Sequence, residues 1–302
     1  MKKALKAKKN LYRGIEKKLS WSGFLFVLPG LLILLFFLAY PVFTAFSTSL
    51  TKYDIVSPIE WVGLKNYIDI FDDSDFINSL IVTLKYLVGS AAPLIIFSFL
   101  FAVILNRRLK GFELFKVIIF LPVILSQVVA AVIFRYLFHP YGLVNEFLMG
   151  IGIINEYIKW LGDSRYVLLV YIILAVWKDV GYFMVLFLAS LQTISPDYYE
   201  ASIIDGANAI QKHVHITLPL IKPTISFAVI MTFVRMLNLF APFYVMTYGG
   251  PAGSSEVISL LIYKTGFDYL KMGKASAMSV VLLLIGVVIV YVLNNGIQRK
   301  NA

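Results

Sequence analysis

Six stretches of the chain are apolar over a length that crosses a bilayer, and polar segments of differing charge separate them. The runs cover about 23–46, 78–105, 112–138, 166–193, 224–246 and 275–293. A helix needs about 20 residues to traverse roughly 30 Å of hydrocarbon, and each run reaches or approaches that length. The first is too long for the roughly 7–15-residue core of a signal peptide, so it is expected to remain as a span, with Pro41 near its outer end. Pro122 falls inside the third run, where neighbouring helices can satisfy the freed backbone groups. The segments 47–77, 139–165 and 247–274 are polar; the second holds a short apolar stretch unable to span. The pattern predicts an all-α polytopic membrane protein with six transmembrane helices over 21–298, behind a basic tail at 1–20.

The polar island after the fourth run, from Ser195 to Pro223, has an order of its own. Ser195 followed by Pro196 reads as a helix start: a hydroxyl to cap free N–H groups, then a ring that presets φ. Asp197 and Glu200 place negative charge in the first turn, where the helix dipole favours it. Gly206 suits the left-handed position that ends such a helix. A second helical stretch is expected from about Ala209 to Ile216, with Pro219 and Pro223 breaking it before the fifth run. Two short helices with a sharp turn at a membrane face read as a docking element, 195–219.

Composition and charge narrow the class. The chain is 60% hydrophobic and 15% charged, which excludes an ordinary soluble globule. It has no cysteine, so disulfides, thiolate metal ligands and a cysteine nucleophile are excluded. Its net charge of +10 is concentrated rather than spread, with 8 of the 27 lysines and arginines in the first 18 residues. Juxtamembrane lysines of this kind address anionic membrane lipids rather than nucleic acid. With six spans and the docking element inside, 15 basic residues fall on inner segments and 7 on outer ones. By the positive-inside rule both termini are cytoplasmic.

The docking element also carries a resemblance. Glu200-Ala201-x-x-x-Asp205-Gly206-Ala207, followed by Ile216-Thr217-Leu218-Pro219, resembles the EAA signature of permease subunits in binding-protein-dependent ABC importers. Ser202 stands where a second alanine is usual, and His213 where an aromatic residue is common. Trp177-Lys178-x-x-Gly181, Leu188-Ala189-x-Leu191-Gln192, Gly249-Gly250-Pro251 and Gly273-x-Ala275-Ser276-Ala277 are similar to the carbohydrate-uptake, MalF-like branch of that family. The resemblance implies a type I importer in the cytoplasmic (inner) membrane of a bacterium or archaeon. Its implied partners are a second, MalG-like permease, two ATP-binding subunits, an extracytoplasmic solute-binding protein and a carbohydrate substrate. It also implies that Glu200, Ala201, Asp205, Gly206 and Ala207 couple to the ATPase.

The chemistry in the sequence agrees with a transport subunit rather than an enzyme. No GxxxxGK[ST] phosphate loop occurs, so no cofactor is expected on this chain, and ATP with Mg²⁺ belongs to a partner. His213 and His215 are two apart, which splays them on a helix and makes a poor metal pair. Ionisable groups inside spans are costly and functional candidates by default: Lys178 and Asp179 in the fourth run, Arg235 in the fifth. Lys85 and Arg135 lie nearer span ends, where their heads can snorkel to the interface. Lys178 and Asp179 point about 100° apart, so both cannot face one neighbour, and Tyr182 lies one turn beyond Lys178. Resemblance to the maltose permease implies that these three, with Thr232, Arg235 and Asn238, face the translocation cavity. An Asp179–Arg235 ion pair joining two spans is the structural alternative. Arg235 and Lys178 would suit an acidic sugar, because guanidinium matches a carboxylate in a two-point fork. A secondary active transporter of a small polar solute is the alternative function, although no repeated halves are visible.

Overall fold

The computed structural model describes residues 23–106 and 111–298. The basic tail at 1–20 and the arginines and lysines at 107–110 and 299–300, on which the charge argument partly rests, lie outside the described residues. The first span is one helix, α1 (Gly23–Ser49). A two-stranded ribbon follows, β1 (Thr51–Lys52) antiparallel to β2 (Glu60–Trp61), and a short helix α2 (Lys65–Phe71). The long α3 (Ser74–Leu105) starts on Asp73, whose carboxylate accepts the Asp75 N–H at 3.0 Å. Next come α4 (Phe112–Ile124), α5 (Gln127–Leu137) and α6 (Leu143–Gly150), then the span α7 (Val167–Leu191). The polar island forms α8 (Pro196–Ile204) and α9 (209–220); α10 (Lys222–Leu237) and α11 (Ala241–Met246) share the fifth span. A short α12 (Ile258–Tyr263) precedes the final span, α13 (Met272–Gln298).

The third apolar run is not a straight helix. α4 and α5 meet at a 101° bend, so among the described residues six crossings are reached only by counting this pair as one broken span. Pro122 removes a donor from the ladder, and Leu125 turns extended. Ser126 then starts a new helix by accepting the Val129 N–H at 3.2 Å. Pro122 is thus not merely tolerated inside a continuous helix; with the capping serine four positions later it makes a break.

Elsewhere proline is absorbed. Pro41 and Pro219 both lie within helical runs, and each follows a widened π turn, Leu35–Ala39 and His213–Thr217. In both, the residue just before the proline donates five back, Tyr40 to Leu35 and Leu218 to His213. The extra residue in the turn accommodates the missing donor. Contrary to expectation, Pro219 does not break α9; the run continues to Leu220 and stops at Ile221.

The core is built on α3 against α7, which pack along their length. The Ser98 hydroxyl bridges them, donating to the Val180 carbonyl at 3.1 Å. Tyr171 of α7 stacks on Phe243 of α11 with centroids 4.1 Å apart, and Tyr86 of α3 meets Phe243 edge-on at 5.1 Å. A smaller cluster of Ile70, Phe76, Ile258 and Met278 joins α2, α3, α12 and α13. In contrast, the side chains of α1 up to Pro41 are almost all exposed, and its C-terminal part alone leans on α13. Such a face is suited to hydrocarbon or another helix, not to water.

Candidate functional site

The fourth and fifth spans frame a cavity of about 360 Å³ whose wall includes Tyr86, Gln127, Lys178, Asp179, Arg235 and Asn238. Asp179 is mostly buried, its side chain 14% exposed, and its Oδ1 lies 3.5 Å from Arg235 Nη2. That oxygen receives no hydrogen bond, so the contact is an ion pair without a well-aligned donor. The Arg235 guanidinium also lies over the Tyr182 ring, 4.9 Å from its centroid. Asp179 and Tyr182 are three apart on α7 and face Arg235 together. Tyr182 thus pairs with the Asp179 stripe rather than with Lys178. Arg235 keeps 38% of its side chain exposed, and part of its donor fork remains open to the cavity.

Lys178 points elsewhere, as its 100° offset from Asp179 requires. Its ammonium donates to the Leu125 carbonyl at 2.7 Å and reaches the Pro122 and Val123 carbonyls at 3.5 Å. Those carbonyls stand where α4 ends at the break, and the Pro122 one also accepts the Leu125 N–H at 3.2 Å. A cation at a helix C-terminus is also favoured by the dipole. The residue is only 6% exposed, so its charge is spent on the fold, although it borders the cavity. Gly181, three residues on, sits against the same helix: a Cβ there would lie 2.3 Å from the Ile119 carbonyl oxygen. The Trp177-Lys178-x-x-Gly181 motif is therefore the seam between α7 and the broken span.

Thr232 does not line the cavity. It is buried and its hydroxyl is returned to the Ala228 carbonyl at 2.8 Å within α10. Asn238 does line it, at the gap between α10 and α11, with its amide donating to the Val234 carbonyl at 2.8 Å. Arg135, expected to snorkel, donates to the Val245 carbonyl at 3.4 Å. Sequence reasoning missed Tyr86, Gln127 and Phe240 in the wall. Ser126 was the available signal for Gln127, since a serine start after Pro122 moves that residue to a helix N-terminus.

The second candidate region is the loop from α7 to α10. Ser195 accepts the Asp197 N–H at 3.3 Å, and Pro196 opens α8. Gly206 has φ +77°; its N–H goes to the Ile203 carbonyl at 3.0 Å, and that of Ala207 to Ser202 at 2.9 Å. These two bonds form a Schellman end, which requires a residue able to hold positive φ. Asn208 and Gln211 then exchange side-chain bonds with each other's N–H at 2.9 and 2.8 Å, a capping box that starts α9. Ser202 is buried and returns its hydroxyl to Tyr199, and His213 Nδ1 meets the Thr217 hydroxyl at 3.1 Å. Both departures from the signature are thus satisfied locally. Glu200, Ala201 and Asp205 are exposed, beside Ile203, Ile204 and Ile210, of which Ile204 is 87% exposed.

Residues 94–301 match the family described as the binding-protein-dependent transport system inner membrane component. The chain is 36% identical to the probable ABC transporter permease protein YurN of Bacillus subtilis, covering 87% of this chain and 91% of that one. It is 34% identical to the trehalose/maltose transport system permease protein MalF of Thermococcus litoralis, over 93% and 96% of the two chains. Among solved structures it is similar, at TM-score 0.82 and 25% identity over 96% of this chain and 99% of that one, to a chain of a bacterial ABC transporter involved in the import of the acidic polysaccharide alginate. Signature and full-length similarity converge: the chain belongs to the family of binding-protein-dependent transport system membrane components, as a multi-pass permease subunit of an ABC importer and not an enzyme.

Proposed function

We propose that this subunit passes a carbohydrate across the cytoplasmic (inner) membrane, paired with a homologous permease and driven by two ATP-binding subunits. An extracytoplasmic binding protein delivers the sugar to the end opposite the docking loop, and both termini are cytoplasmic. The observation that carries the reading is the exposed α8–α9 pair, closed by its hydrogen-bonded turn and presenting Glu200 together with the exposed Ile203 and Ile204. A carboxylate with exposed isoleucines one turn further along fits a basic, partly apolar groove on a partner, and Glu200, Ala201, Asp205, Gly206 and Ala207 form that coupling surface. ATP-driven closure of the partners moves α8 and α9, and the helices continuous with them turn the cavity outward. This chain supplies no nucleotide site; ATP and Mg²⁺ act on the partners.

Arg235 favours an acidic sugar. Asp179 offsets its charge, but the poorly aligned contact leaves guanidinium donors for a substrate carboxylate. The alginate importer and the trehalose/maltose permease bracket the acidic and neutral options.

The test is ATP-driven uptake by the reconstituted importer, using mannuronate and maltose oligosaccharides in parallel. Glu200→Ala and Gly206→Val abolish coupling of hydrolysis to uptake while leaving insertion intact. Arg235→Gln lowers mannuronate uptake selectively. Uptake that persists without ATP contradicts the importer reading and favours a secondary transporter. Wild-type coupling in both loop variants removes the docking assignment, and equal loss of both sugars assigns Arg235 to the structural pair alone.

A further inference from the structure

Between the cavity and the end opposite the docking loop lies a patch of aromatic rings that the cavity account does not use. Phe240, in the cavity wall, is its first member. From it one line runs to Tyr263 at 5.1 Å between centroids and on to Phe267 at 5.2 Å. A second runs to Tyr244 at 5.2 Å and then Tyr248 at 5.3 Å, and Tyr244 and Tyr263 cross-link the two at 5.3 Å. Phe240 packs against the core, and the rings open outward from it. Tyr244 and Tyr248 are each 40% exposed and Phe267 is 61% exposed.

The patch is held rigidly. Tyr248 donates its hydroxyl to Asp268, and Lys264 lies 4.7 Å from the Tyr248 centroid while paired with Glu256 at 2.7 Å. The Ser259 hydroxyl bonds the Leu239 carbonyl at 2.8 Å, tying α12 to the gap in the fifth span. Rigid rings with polar tips offer contact area at low entropic cost, and their negative faces attract the C–H edges of a sugar ring.

We infer that Phe240, Tyr244, Tyr248, Tyr263 and Phe267 form a stacking track for an oligosaccharide, leading each sugar unit from the outer surface into the Arg235 cavity. The occupant follows from continuity: the same Phe240 belongs to both the patch and the wall where the substrate is placed. An aromatic belt at the membrane interface would be scattered around the bundle instead of running into its cavity. The inference rests on the carbohydrate reading and adds that recognition extends over several sugar units.

The test uses the whole reconstituted importer with two probe series, mannuronate di- to pentasaccharides and maltose to maltopentaose. Tyr244→Leu and Phe267→Leu keep apolar bulk but remove the ring; Tyr244→Phe and Phe267→Tyr keep it. The expected result is a KM for the pentasaccharide raised about threefold to tenfold per lost ring, a smaller rise for the disaccharide, and rescue by the aromatic exchanges. The same KM shift at every length, or none, overturns the track. Loss of copurification with the partner permease also overturns it, by assigning the rings to the contact between subunits. Wild-type protein that imports neither series overturns the carbohydrate reading together with the track, whereas wild-type uptake with unaltered variants removes the track alone.

Discussion

Gly181→Ala is the sharpest test of the seam between α7 and the broken span. A Cβ at this position would stand 2.3 Å from the Ile119 carbonyl oxygen and 2.7 Å from the Phe120 Cα, both backbone atoms that cannot rotate away. Ordinary contact begins near 3.4 Å, so the helices must part by about 1 Å. That movement stretches the 2.7 Å bond from Lys178 to Leu125 beyond hydrogen-bond range. Overpacking costs about 1–3 kcal/mol, and losing a bond to a charged donor about 1.5–3, so the combined loss is about 2.5–6 kcal/mol. Gly30→Ala, where a Cβ meets nothing within 4 Å, is the control and should gain up to about 1 kcal/mol from helix propensity.

The assay is equilibrium unfolding of the purified subunit complex by denaturing detergent, followed by circular dichroism. Destabilisation confined to Gly181→Ala supports the seam. If Gly181→Ala stays within about 0.5 kcal/mol of wild type, α4 and α7 do not approach as described and the reasoning fails.

Lys178→Met leaves the carbonyls at the helix break without their cation; an exposed break should exchange amide hydrogens faster at 126–129, with about 2–3 kcal/mol lost. Unchanged exchange there would detach Lys178 from the break. Burial pushes the Asp73 carboxyl up, but its 2.6 Å bond to Lys274 and the Asp75 N–H more than offset this, leaving it below the ordinary 3.8. A depressed carboxyl contributes stability that is present above its unfolded pKa and fades as pH falls through the folded one. Thermal stability should therefore drop below about pH 4 in wild type and lose that component in Asp73→Asn; identical acid profiles refute the link. Single cysteines at Asp72 or Glu156 should react with an impermeant maleimide from outside the cell, and one at Ile210 only from inside. Labelling of the Ile210 site from outside would invert the topology.

What the sequence disclosed follows the range of the forces involved. Ser195, Pro196 and Gly206 act within one helical turn, so the ends of α8 were legible from neighbouring residues, whereas the Asn208–Gln211 cap that starts α9 was not read. Apolar run length fixed five spans because a bilayer imposes that length regardless of neighbours. The third span escaped because its break needs two signals together, Pro122 and Ser126, and one alone is compatible with a continuous helix. The π turns before Pro41 and Pro219 were equally hidden, since nothing local marks a turn that widens to accept a proline.

The midspan charges show why placement in a span does not settle a role. Lys178, Asp179 and Arg235 lie at comparable depth, and the cost of burying charge makes each conspicuous. Their partners come from different spans, and sequence holds no account of which carbonyls a distant proline has freed. Lys178 answers Leu125, 53 residues away, and its charge is consumed by the backbone. Asp179 and Arg235 answer each other at 3.5 Å, too far apart and too poorly aligned to exhaust the guanidinium. A tightly forked pair would be inert to a passing substrate, and an unpaired arginine would be too costly to bury. The loose pair lies between these limits: Asp179 lowers the cost of keeping Arg235 in the span, and the open edge of Arg235 stays available to the cavity.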